Sequence, residues 1–164
     1  MSERIENIVK EDAQIIWRNF AGNPDKFNPN GGKRTFSLVL TQDEAESLLD
    51  EGWNVKERVN KEDETDVLYT LQCRANYDGS RPPKIYLVTV AKGKKHKSLL
   101  DEDTVKVLDY AEIERVDVVI SPYKWTMGNK SGISAYVKTM YVTIARDELE
   151  DLYEDDEEEE IPFS

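Results

Sequence analysis

The sequence predicts a mainly β fold: a small Greek-key barrel of the OB type with one short helix and an extended hairpin, followed by a disordered acidic tail. Three observations carry this. Segments of β-forming residues recur between runs of Gly, Pro, Asn and Asp. Only one segment has both a helix start and a helix stop. The acids collect at one end: eleven of the 34 Asp and Glu lie within residues 147–160, which hold no base. A sandwich of the same strands matches the pattern too, and periodicity alone does not separate the two. The expected organisation is a folded domain over 1–146 and a flexible tail over 147–164.

The elements follow in order. Ala13–Phe20 (AQIIWRNF) is rich in β-formers and reads as a strand. Residues 22–32 (GNPDKFNPNGG) read as a long turn-rich loop. Lys33–Leu40 is the second strand. Thr41 and Glu44 then have capping-box spacing, Ala45, Leu48 and Leu49 share one helical face, and Gly52 stops the helix. Trp53–Val59 is a short strand and 60–66 a polar link. Val67–Tyr77 alternates, with Tyr69, Leu71, Cys73 and Ala75 on one face. Lys84–Ala91 is its pairing strand, and Lys92–Lys97 (KGKKHK) reads as a basic loop. Residues 98–111 form an irregular or partly helical link. Glu112–Thr126 and Gly132–Ala145 make a long hairpin turning at Met127-Gly128-Asn129-Lys130-Ser131.

Composition limits the chemistry. One Cys and one His exclude an internal disulfide, a Cys-based zinc site and a His-rich metal centre. No P-loop or dinucleotide fingerprint occurs, and no Ser, Cys or His arrangement suggests nucleophilic catalysis. Asp12, Asp25, Asp101 and Asp103 could bind Mg²⁺ in principle, but carboxylates are too abundant here to single them out. No enzyme and no cofactor is expected. No apolar run approaches the roughly 18–20 residues that span a bilayer. The charged start is no signal peptide, so no membrane is expected, the sequon at Asn129 is incidental, and a reducing cytoplasm is the expected compartment.

The net charge of −12 conceals the useful signal. Without residues 147–160 the chain has 23 acids against 22 bases, a net of about −1. From Val67 to Ser98 there are seven bases and one acid, Asp78. Rings sit beside bases in Trp17-Arg18, Lys26-Phe27, Lys33-Arg34-Thr35-Phe36 and Tyr123-Lys124-Trp125. Single-stranded nucleic acid needs this mixture, because cations neutralise phosphates and flat rings stack on unpaired bases of any identity. The candidate phosphate contacts are Lys33, Arg34, Arg74, Lys84, Lys92, Lys94, Lys95, Lys97 and Lys124. The candidate stacking rings are Trp17, Phe27, Trp53, Tyr77, Tyr86, Tyr123 and Trp125, some of which must be core. In the tail, an acidic run that cannot fold alone ends in Ile161-Pro162-Phe163, an apolar tip suited to a partner's pocket with a basic rim. Two rival readings remain open: an acidic DNA-mimic or protein-interaction inhibitor module, and a small nuclease.

The tail EDDEEEEIPFS resembles the acidic C-terminus of bacterial single-stranded DNA-binding proteins. The body resembles the bacteriophage single-stranded DNA-binding proteins of the Enc34 type. The likeness is carried by Ile16-Trp17-Arg18-Asn19-Phe20-Ala21-Gly22, Asp50-Glu51-Gly52-Trp53-Asn54-Val55-Lys56, Ser121-Pro122-Tyr123 and Gly132-Ile133-Ser134-Ala135-Tyr136. The resemblance implies an OB-fold that coats and protects single-stranded DNA in phage replication and recombination, in the host cytoplasm. It also implies a tail that recruits replication or recombination proteins, and it leaves self-association on the DNA open. Here Ser164 follows Phe163, so the free carboxylate lies one residue beyond its place in the bacterial pattern.

Overall fold

The computed structural model describes residues 5–26 and 28–145. The strands are β1 (Ile8–Lys10), β2 (Ile15–Asn19), β3 (Thr35–Leu40), β4 (Val55–Val59), β5 (Val67–Arg74), β6 (Lys84–Ala91), β7 (Lys94–Leu100), β8 (Ile113–Met127) and β9 (Lys130–Ile144). One α-helix, α1 (Gln42–Glu51), follows β3, and a 3-10 turn occupies Val105–Asp109.

Strand pairing runs β1-β8-β9-β5-β3-β2. The two ends of this path are neighbours in the chain, separated only by residues 11–14. There the Ala13 N–H donates to the Val116 carbonyl (2.7 Å) and the Val39 N–H to the Gln14 carbonyl (2.9 Å). Residues 8–19 thus act as one bent strand that returns the path on itself, giving the small barrel expected from the sequence. β5 and β9 pair in parallel through Cys73–Ala135 and Arg74–Tyr136. Further along, the same edge of β9 pairs in parallel with β6, from Lys84–Thr139 to Val88–Thr143. β4 lies on the edge of β5, and β7 on the far edge of β6.

The inward residues form one core that includes Phe20, Phe36, Leu38, Leu71, Cys73, Ile85, Leu108, Ile120, Met140 and Val142. Phe20 and Phe36 stack within it at 5.4 Å. Full burial pushes the Cys73 thiol well above its ordinary pKa, so it stays protonated. The helix starts where the sequence places it. The Glu44 N–H donates to Thr41 Oγ1 (3.2 Å) and the Thr41 N–H to Glu44 Oε1 (2.9 Å). Gly52 takes the left-handed conformation at φ 105° and closes the last turn. Ala45 is buried, but Leu49 is exposed and does not share the packed face.

Several boundaries differ from the sequence reading. β1 was not anticipated; it is only three residues long and pairs Val9 with Val119. The second strand begins at Thr35, so Lys33 and Arg34 belong to the preceding loop. The largest correction concerns the basic loop. Lys92 and Gly93, both at positive φ, form a two-residue turn, and Lys94–Leu100 is a full strand paired with β6. Its polar side chains hid it, because an edge strand draws its order from backbone pairing rather than from an apolar face.

Candidate nucleic-acid interface

In barrels of this type, nucleic acid lies across the outward face of the second and third strands, between the loop joining strands one and two and the loop joining four and five. Here those parts are β3 and β5, residues 20–34, and the tip of the β8–β9 hairpin. The 20–34 loop is tied at its base. Asp109 accepts from the Phe20 and Ala21 N–H groups at 2.6 and 2.9 Å. Arg18 donates to the Leu108 and Ala111 carbonyls at 2.7 and 2.8 Å. The neck is closed by the Gly32 N–H on the Gly22 carbonyl (2.8 Å). Gly31 has φ 72°, and a Cβ there would lie 2.8 Å from the Gly22 carbonyl oxygen, so the crossing admits no side chain.

The first ring–cation group is on β2. Trp17 interrupts the β2–β3 register, has φ 51°, and is 51% exposed. The Arg58 guanidinium, from β4, lies 4.7 Å from its ring centroid. That separation is a cation–π contact. Trp17 was expected; Arg58 was not, since 41 positions separate it from the ring.

The second group is on the hairpin. Tyr123 and Trp125 point outward from β8, and Tyr136 points outward from β9. Tyr123 is 54% exposed and Trp125 37%. The Tyr123 and Tyr136 rings are 5.4 Å apart. Trp125 lies over Gly132, where a Cβ would come within 2.8 Å of Trp125 Cζ2. The missing side chain at Gly132 is what seats the indole. Cross-strand pairing places Thr35, Arg74 and Tyr136 side by side in one row across β3, β5 and β9. Tyr136 was the ring missed here, because strand alternation cannot reveal its neighbours without the register.

The third group is on the β6–β7 hairpin. Tyr86 and Tyr141 stack across the β6–β9 pair at 5.0 Å with planes 10° apart. Lys97 Nζ lies 5.2 Å from the Tyr86 centroid and 5.7 Å from that of Tyr141. Lys95, Lys97, Arg115, Asp117 and Tyr141 line a depression of about 410 Å³ beside them. The one acid there is engaged. Asp117 forms a forked pair with Arg115 at 3.1 Å to each oxygen, which holds its carboxyl below the usual range.

The remaining candidates are distributed differently. Trp53 is a core residue, 2% exposed, its indole N–H donating to Glu51 Oε2 (2.8 Å), so it is removed from the stacking set. Tyr77 is half-buried against the core, and burial raises its phenol to about 12. Arg34 serves the fold: it donates to the Phe20 carbonyl (2.8 Å) and lies 3.6 Å from Glu102. Lys33, Lys84, Lys92, Lys94 and Lys124 are exposed. Lys92 and Lys94 stand at the turn of the β6–β7 hairpin, away from Trp17 in the strand order. Phe27 and the tail, with Ile161, Pro162 and Phe163, lie outside the described residues. No group of three or more potential metal ligands occurs among the described residues. None of their helices is long and apolar enough to cross a membrane.

Comparison with known proteins bears on this geometry. No curated protein gives a significant sequence match. Among solved structures, the C-terminally truncated single-stranded DNA-binding protein of bacteriophage Enc34 aligns with a TM-score of 0.52. It shows 13% identity over 86% of this chain and 87% of its own. The same phage protein in complex with ssDNA aligns equally, at 0.52 and 13%, over 86% and 88%. At that identity the likeness establishes the shared fold. The family model described as "Putative phage ssDNA-binding domain" matches residues 1–163, nearly the whole chain. The chain therefore belongs to the phage ssDNA-binding domain family.

Proposed function

We propose that the protein binds single-stranded DNA without sequence preference and coats it during phage replication or recombination. The observation that carries this reading is the outward barrel surface, where rings and cations share one face: Trp17 with Arg58, Tyr136 in the row of Arg74, and Tyr123 and Trp125 further along the β8–β9 hairpin. Rings of this kind stack on any base, at about 1–3 kcal/mol each, and the cations answer the phosphates. The protein performs no chemistry on the strand in this reading. The acidic tail, ending in Ile161-Pro162-Phe163, recruits replication or recombination proteins.

The experiment is a titration with oligo-dT followed by tryptophan emission. Trp17 and Trp125 are exposed and Trp53 is core. Stacking should quench the first two, leaving a residual blue-shifted emission from Trp53. Affinity should fall steeply with salt, by about 0.7 in log K per log salt for each phosphate contact. Emission unmoved by saturating oligo-dT, or affinity flat across salt, would overturn the proposal.

A further inference from the structure

The Tyr86–Tyr141–Lys97 group lies off the face that barrels of this type commonly use. It is built largely from β6 and β7, a hairpin added beside the five barrel strands, yet its link to the barrel face is specific. Tyr136 and Tyr141 are five positions apart on β9. Strand alternation would put residues five apart on opposite sides of the sheet. The register prevents it. Ile120 pairs with Val137 and the adjacent Val119 with Thr139, so Lys138 is an unpaired bulge residue. Below the bulge Ile133, Ala135 and Val137 are buried, and above it Met140 and Val142 are. The inserted residue therefore resets the alternation. It leaves Tyr136, Thr139 and Tyr141 on the outward side of one strand, spread over at most about 16 Å of backbone at roughly 3.3 Å per residue.

We infer that the bulge joins two contact patches into one track. A DNA strand held at Trp17, Trp125, Tyr123 and Tyr136 continues along the outward side of β9 to a second patch made by Tyr86, Tyr141, Lys95 and Lys97. This rests on the proposed single-strand binding and specifies how far the strand runs. The chemistry of the second patch suits the end of such a track. It offers two stacked, near-parallel rings beside exposed lysines, and the one acid among the described residues that line it, Asp117, is paired with Arg115.

The test uses the full chain and fluorescence anisotropy with oligo-dT of about 6 and about 24 nucleotides, bracketing the roughly 4–16 expected of one such barrel. The variant Lys95→Ala/Lys97→Ala changes exposed residues only. It should bind the short oligonucleotide within about twofold of wild type, lose tenfold or more on the long one, and reduce the long-oligonucleotide salt slope by about 1.4, two contacts at 0.7 each. Trp17→Ala should weaken both lengths. Equal loss on both lengths for the lysine variant would overturn the two-patch track, as would no loss on either. A wild-type protein that bound neither length would instead overturn the proposed function itself.

Discussion

Gly132→Ala isolates the seat of Trp125 from the fold. The added Cβ would lie 2.8 Å from Trp125 Cζ2, 3.0 Å from Cε2 and 3.3 Å from Nε1. Carbon atoms settle at about 3.5–4.0 Å, so the indole must move by roughly 1 Å or leave its place. It can leave, because it is 37% exposed near the hairpin tip. Gly132 is not in the left-handed region, so alanine adds no backbone strain and lowers unfolded-chain entropy by an equivalent of about 0.4–1 kcal/mol. The net stability change should stay within about 1 kcal/mol, a shift of roughly 2–4 °C in Tm for a chain of this size. Binding is a different matter. A stacking platform contributes about 1–3 kcal/mol per base, so affinity for oligo-dT should fall by roughly 5- to 150-fold. Thermal melting and oligo-dT anisotropy on the same sample separate the two effects. Wild-type affinity in a stable Gly132→Ala protein would refute the assignment of Trp125 as a platform. A collapse in Tm would show instead that the indole supports the fold.

Other outcomes follow from the same structure. Trp53→Ala should destabilise by about 3–5 kcal/mol as a large-to-small core change, whereas Trp17→Ala should leave chemical denaturation nearly unchanged and weaken DNA binding. For Glu44, burial alone would raise the carboxyl, but the hydrogen bond from Lys10 (2.6 Å) and those from Thr41 pull it below its ordinary value. A depressed carboxyl stabilises the fold above its unfolded-state pKa and loses that contribution as pH falls through the folded value. Glu44→Gln should therefore be less stable than wild type at neutral pH and converge with it in acid, as read by denaturant midpoints. If the acidic residues 147–164 compete with DNA for the cationic surface, deleting them should tighten oligo-dT binding, most at low salt. Unchanged affinity on deletion would reject that competition.

Local chemistry was legible in the sequence where it acts locally. Thr41, Glu44 and Gly52 announce the helix because capping is a matter of three- and four-residue spacing. The Met127–Lys130 turn announces the hairpin for the same reason. Relations set by register were not legible. Arg58 meets Trp17, and Tyr141 meets Tyr86, only because β4 and β9 are placed beside their partners by long-range pairing. The bulge at Lys138 is invisible in a strand that otherwise alternates smoothly. Lys94–Leu100 lacks an apolar face and so reads as loop, although β6 orders it as a strand. Trp53 shows the limit of composition. It lies between exposed Gly52 and Asn54 in sequence, but follows the helix stop at Gly52 and turns into the core, where it bridges to Ile133.

Photo-crosslinking of oligo-dT to the full chain, with peptide mapping of the adducts, locates the bound strand on the barrel. Adducts should form at Trp17, Tyr123, Trp125 and Tyr136, with Tyr86 or Tyr141 added for long strands, and none at Trp53. Adducts confined to other surfaces, with these rings unlabelled under saturating DNA, would contradict that placement.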